Sequence, residues 1–254
     1  MGQARGEGNR EQRGVALGAL ALLGGASLLP AAEFFLADAL IAGGAGLLLL
    51  WALWRARTAA DIALVSFVIC ALHLKPIPWP LILAAPLALL LVCGRIWPEV
   101  RPVWFARGRV PLAATLVCGA VTPVALSAWL ALARPDLSDL LVQVPKAQPW
   151  LLVVGGLGFA AANATLEEWV WRGVIQTRLS VLSSERVAIG AQALSFGVAH
   201  AHGFPRGVSG MVLAGVWALM LGLLRKRSSG LLAPILAHFV ADATIVVLLL
   251  QRAV

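Results

Sequence analysis

The run Thr165-Leu166-Glu167-Glu168-Trp169-Val170-Trp171-Arg172-Gly173 sets two adjacent carboxylates and an arginine inside an otherwise apolar segment. On the insertion scale a charge of this kind at mid-membrane costs about 2.5–3.5 kcal/mol, so the three must be paired or used. Glu168 and Arg172 are four apart with the acid first, the favourable order for an ion pair along a helix. Glu167 is turned by about 100° from Glu168 and is not the natural partner of that arginine. Glu168 with Arg172 therefore reads as a supporting pair, and Glu167 as the carboxylate left for chemistry. The plain alternative is that both acids share the one arginine, or that the stretch lies at the membrane interface.

Two more patterns follow on predicted helices. Phe196 and His200 are four apart and stack on one face, and so do His238 and Asp242. A Glu, two His and an Asp on three intramembrane helices form a functional-site hypothesis. The chemistry such a set supports is hydrolysis. A carboxylate in a low-dielectric site acts as general base on a water that one imidazole positions. A second imidazole, with its neighbour, hydrogen-bonds the oxyanion that develops on a scissile carbonyl. No serine or cysteine nucleophile is needed; Ser195 is the nearest and points about 100° away from Phe196. His73 and His202 read as ordinary polar residues, each at the end of an apolar run.

The elements that must carry these residues are transmembrane helices. Of the 254 residues 60% are hydrophobic and only 13% charged, where soluble domains have roughly 25% charged, and the mean hydropathy is +0.88. The net charge of +8 does not indicate nucleic acid, because the basic residues fall in short clusters between apolar runs, the pattern that orients a polytopic protein. Cys70, Cys93 and Cys118 stand singly within apolar runs and read as small core residues. Trp51, Trp54, Trp79, Trp97, Trp104 and Trp150 lie near the ends of apolar runs, as an interfacial belt would.

Apolar segments recur at 14–30, 34–54, 60–74, 78–94, 111–132, 150–182, 187–201, 208–224 and 231–250. The expected fold is an all-α polytopic helical bundle of eight or nine spans, two of these runs being short and 150–182 too long for one. Three parts are expected: a polar, disordered cytoplasmic tail over 1–13, scaffold helices over 14–146, and the helices of the site over 147–254. Under the nine-span count the tail, Arg55 with Arg57, Arg95/Arg101/Arg107/Arg109, Arg178 with Arg186, and Arg225-Lys226-Arg227 share one side. Glu33 with Asp38, Lys75, Arg134/Asp136/Asp139/Lys146 and Arg206 fall opposite, which predicts a cytoplasmic N-terminus. The run 157–164 before the first motif is rich in small residues and allows close helix approach, with Asn163 placed to bond across helices.

The order EExxxR, FxxxH, Hxxx(N/D) within apolar helices resembles the CPBP intramembrane proteases, which include the type II CAAX prenyl endopeptidases and bacterial bacteriocin-processing and immunity proteins. The resemblance covers 165–242. It implies that Glu167 and His200 activate water, that His238 and Asp242 stabilise the oxyanion, and that Glu168, Arg172 and Phe196 support them. One departure is visible: the prenyl proteases carry Asn where this chain has Asp242, and an ionised Asp cannot donate to an oxyanion; it can do so protonated, or it can serve by orienting His238 in the correct tautomer. No cofactor is expected; a zinc ion on Glu167, His200 and His238 is the alternative, and the absence of HExxH favours the metal-free form. The expected partners are the lipid bilayer and a membrane-associated peptide or protein substrate, in a bacterial plasma membrane. The rival readings are a proton-coupled transporter that uses the same residues as a relay, and a non-catalytic immunity or scaffold protein.

Overall fold

In the computed structural model, which describes residues 2–29, 35–74, 77, 79–96 and 106–253, each of the nine apolar runs is carried by helix, and no strand occurs among the described residues. The first half consists of α1 (Gly2–Leu28), α2 (Phe35–Arg55), α3 (Ala60–His73), α4 (Trp79–Ile96) and α5 (Leu112–Ala133). A short α6 (Ser138–Leu141) then leads to α7 (Pro149–Glu168), a π-helical stretch Trp169–Gln176, α8 (Thr177–Leu182), α9 (Glu185–Ala199), α10 (Gly207–Ser228) and α11 (Leu232–Ala253).

Six of these helical stretches are long and apolar enough to cross a bilayer: 36–55, 79–96, 112–133, 149–182, 207–228 and 232–253. The chain is a multi-pass, all-α membrane protein. Two of the nine runs are carried by helices shorter than a span. α3 has 14 residues and α9 has 15, so each spans about 21–23 Å against a hydrocarbon core of about 30 Å. α3 is instead a core helix, buried on nearly all sides from Ala60 to Cys70.

Three sequence expectations change here. The tail over 1–13 does not stand apart as coil, because α1 begins at Gly2. Its end is tied to the body: Glu11 pairs with Arg55 at 3.7 Å, and Arg13 Nε donates to the Leu182 carbonyl at 3.2 Å. Asp38 is not a loop charge but is buried in the first turn of α2. Trp79 does not belong to an interfacial belt with the exposed Trp51, Trp54 and Trp150; it turns inward on Trp171, with ring centroids 6.3 Å apart. Glu33, Lys75, Trp97, Arg101 and Trp104 lie outside the described residues.

Small residues set the spacing where the site is assembled. α7 lies along α11, where Gly156 faces Val246, and its Ala160 and Ala164 are fully buried. α9 crosses α10 at Gly197, where an added Cβ would stand 2.7 Å from the Met211 carbonyl oxygen and 3.1 Å from Gly215 Cα. Only a missing side chain lets these two backbones meet. The two halves are joined by a buried ion pair between α3 and α8, Asp61 Oδ2 to Arg178 Nη2 at 2.6 Å.

Candidate active site

Glu167 and Glu168 close α7, and the chain then continues through the π-helical Trp169–Gln176 stretch, so helix persists while its register slips. The Thr177 hydroxyl takes the carbonyl of Arg172, five residues back, at 3.1 Å. The slip leaves the ion pair expected from spacing intact: Arg172 Nη1 donates to Glu168 Oε1 at 2.7 Å, both side chains fully buried. Arg172 also caps the aromatic face of Phe196, its Cζ lying 4.6 Å from the ring centroid, and its Nη2 shares the Ala218 carbonyl with Gln192. The guanidinium is thus spread over a carboxylate, a π face and a backbone oxygen, which is how a buried cation keeps its place.

His238, on α11, meets this pair directly. Its Nδ1 lies 2.7 Å from the same Glu168 Oε1, which ties the imidazole to the supporting carboxylate and leaves Nε2 facing the site. Nε2 stands 3.5 Å from Glu167 Oε2 and 3.6 Å from Asp242 Oδ1. Asn163, one turn before Glu167 on α7, bridges the two acids: its Nδ2 donates to Glu167 Oε1 and to Asp242 Oδ2, each at 3.1 Å. The cross-helix bond expected of Asn163 therefore exists, and it lands on the site.

His200 takes a different position. It caps the end of α9, its Nδ1 donating to the Phe196 carbonyl at 2.9 Å and its ring tilted on Phe196 at a centroid distance of 4.5 Å. Since a carbonyl only accepts, the neutral ring keeps Nε2 as its acceptor nitrogen. No direct hydrogen bond joins His200 to Glu167 among the described residues. Both line the same cavity of about 520 Å³, together with Asn163, His238 and Asp242. The remaining walls are mostly apolar, from Ile69, Phe159 and Leu249 among others. Phe196 is the common support, packed on Trp171, His200, His238 and the Arg172 guanidinium.

Sequence reasoning missed one residue of the site. Trp79, at the start of α4, donates from Nε1 to Glu167 Oε1 at 2.7 Å. Nothing in its local sequence separates it from a belt tryptophan; the contact crosses 88 residues. His73 and His202 bond the Leu29 and Leu28 carbonyls at the end of α1, and both also line the cavity.

Among the described residues no group of three or more His, Cys, Asp or Glu side chains is arranged to hold a metal ion. His238 has only Nε2 to offer, its Nδ1 being engaged by Glu168.

Residues 149–244 match the family model described as Type II CAAX prenyl endopeptidase Rce1-like. No curated protein and no solved structure matches the chain. The matched segment runs from the first turn of α7 into α11 and contains Asn163, Glu167, Glu168, Arg172, His200, His238 and Asp242, but not Trp79.

Proposed function

We propose that this chain, whose residues 149–244 match the Type II CAAX prenyl endopeptidase Rce1-like family model, hydrolyses a peptide bond in a membrane-associated peptide or protein tail, using water activated by Glu167 without a metal ion. The observation that carries this reading is the buried cluster of Glu167, His238, Asp242 and Asn163 on the wall of a cavity large enough for an extended peptide segment.

Glu167 takes a proton from a water that the acceptor nitrogen of His200 helps to place, and the water oxygen bonds to the scissile carbonyl carbon. The negative charge on the former carbonyl oxygen is met by His238. With Nδ1 held by Glu168, Nε2 carries a hydrogen in the imidazolium form and donates it to the oxyanion. Asp242, an acceptor while ionised, flanks Nε2 and keeps that ring oriented; it is not itself an oxyanion donor. The C–N bond then breaks as the tetrahedral carbon collapses, and Glu167 passes its proton to the departing amine nitrogen. The apolar walls favour a substrate with apolar side chains or a lipid-linked residue near the cut.

The test uses the full chain in proteoliposomes with two fluorogenic peptides, one ending in a farnesylated cysteine followed by three apolar residues and one identical but unlipidated. Cleavage of either that is lost in Glu167→Gln and survives a strong zinc chelator supports the reading. Loss on chelation, restored by added zinc, overturns the metal-free mechanism, and equal cleavage by Glu167→Gln overturns the role of Glu167.

A further inference from the structure

A carboxylate that serves as a general base must present one oxygen in a fixed direction, yet the terminal torsion of a glutamate is broad and nearly two-fold. Something must therefore hold Glu167. Its two oxygens are treated differently. Oε1 accepts from Trp79 Nε1 at 2.7 Å and from Asn163 Nδ2 at 3.1 Å, whereas Oε2 is buried with no hydrogen-bond partner and lies 3.5 Å from His238 Nε2. The two donors are not equivalent. Asn163 divides its amide between Glu167 and Asp242, and it shares α7 with Glu167, so it fixes the two acids to each other more than either to the bundle. Trp79 comes from another helix and is braced by its stacking on Trp171, at 6.3 Å and 34° between ring planes, and Trp171 is in turn edge-on to Phe196. An indole offers a single donor on a rigid plane.

We propose that Trp79, which lies outside the matched segment 149–244, is a positioning residue that anchors Glu167 through Oε1 and so leaves Oε2 as the proton-accepting atom. This rests on Glu167 being the base. It also makes the amino-terminal half a contributor to the site, because α4 delivers the group that aims the base.

The experiment compares wild type, Trp79→Phe, Trp79→Leu and Glu167→Gln in full-length proteoliposomes on the farnesylated fluorogenic peptide. Phenylalanine keeps an aromatic ring on Trp171 and removes only the N–H. The expected result for Trp79→Phe is a fall in kcat of about tenfold or more, the scale of one hydrogen bond to a charged group, with KM within about twofold of wild type and an unchanged thermal midpoint. Trp79→Leu should lose more kcat and also lower the midpoint, since the stack goes with the N–H. In ¹⁵N-labelled protein the indole resonance missing from Trp79→Phe should be the one that moves in Glu167→Gln. A Trp79→Phe variant with wild-type kcat, or one whose loss tracks a lowered midpoint or a raised KM, overturns the inference and leaves the protease reading standing. An indole resonance unmoved by Glu167→Gln overturns it too. If Glu167→Gln cleaves as fast as wild type, or wild type cleaves nothing, the reading of Glu167 as base has failed and the inference falls with it.

Discussion

Glu168 Oε1 lies 2.7 Å from His238 Nδ1, on the same oxygen that receives Arg172. The second glutamate of the pair is therefore more than a counter-ion for the arginine. It fixes which nitrogen of the imidazole points at Glu167 and Asp242, so one carboxylate couples the folding of the π-helical stretch to the orientation of the site.

Replacing Glu168 by Gln should cost both stability and activity. Arg172 would be left as an unpaired cation in a fully buried position, a loss on the order of 3–5 kcal/mol. Denaturant titration in detergent should show that loss, and peptide cleavage should fall about 100-fold as the ring of His238 loses its anchor. The double variant Glu168→Gln/Arg172→Met removes both charges and should recover part of the stability but none of the activity. A double variant no more stable than the single one would show that the ion pair is not what the single change breaks.

Asn163 should prove more sensitive to charge than to size. Asn163→Leu deletes two hydrogen bonds and should lower kcat by about 10- to 100-fold. Asn163→Asp is nearly isosteric yet sets a third carboxylate against Glu167 and Asp242, and it should be the more damaging of the two. Steady-state kinetics on both decide the matter; an Asp variant more active than the Leu variant would mean that the bridge acts by shape alone.

What was legible in the sequence was what a single helix decides. Spacing of four put Glu168 on Arg172 and His238 beside Asp242, and the small residues before Glu167 announced the close approach of α7 and α11 that lets Asn163 reach Asp242. What was not legible depends on contacts that no local pattern encodes. Trp79 and Glu167 are 88 residues apart, Asp61 and Arg178 are 117 apart, and on local sequence alone Trp79 looks like an interfacial residue and Arg178 like a loop charge. The π-helical register after Glu168 is invisible to a 3.6-residue period. The number of spans was not legible for a related reason: the short, apolar α3 is buried as a core helix, which hydrophobicity alone does not distinguish from a lipid-facing one.

The Asp61–Arg178 pair should hold the two halves together without entering the chemistry. Asp61→Ala removes the buried carboxylate that Arg178 pairs with and should lower stability clearly more than Asp61→Ala/Arg178→Met does. Both should keep kcat near wild type at temperatures where they are folded. A selective loss of kcat in a fully folded variant would place this pair in the site after all.

Outside the membrane the loops on one side of the cavity are pinned by Arg206, and here pH should matter. Arg206 donates to both oxygens of Asp139, from Nη2 to Oδ2 at 2.8 Å and from Nη1 to Oδ1, and its remaining bonds reach the Asp136 and His202 carbonyls, joining the α5–α7 connection to the α9–α10 connection. The hydrogen bonds from Arg206 hold the Asp139 carboxyl below its ordinary 3.8. A group whose pKa is lowered on folding contributes stability above its unfolded value and loses it as the pH falls through the folded one, so the contact should weaken below pH 3.8. Asp139 is 57% exposed, so screening keeps the contribution under about 1 kcal/mol. The sensitive readout is local: limited proteolysis of residues 134–148 with an acid-active protease at pH 5 and pH 2.5. Wild type should open on acidification more than Asp139→Asn does. Subtracting the variant removes the separate response of Asp136, whose carboxyl is held low mainly by the Ser138 backbone N–H. The two Arg206 bonds to backbone carbonyls survive at either pH, so the acid effect should be partial. An identical acid response in both proteins would show that the Asp139 carboxylate does not hold these loops.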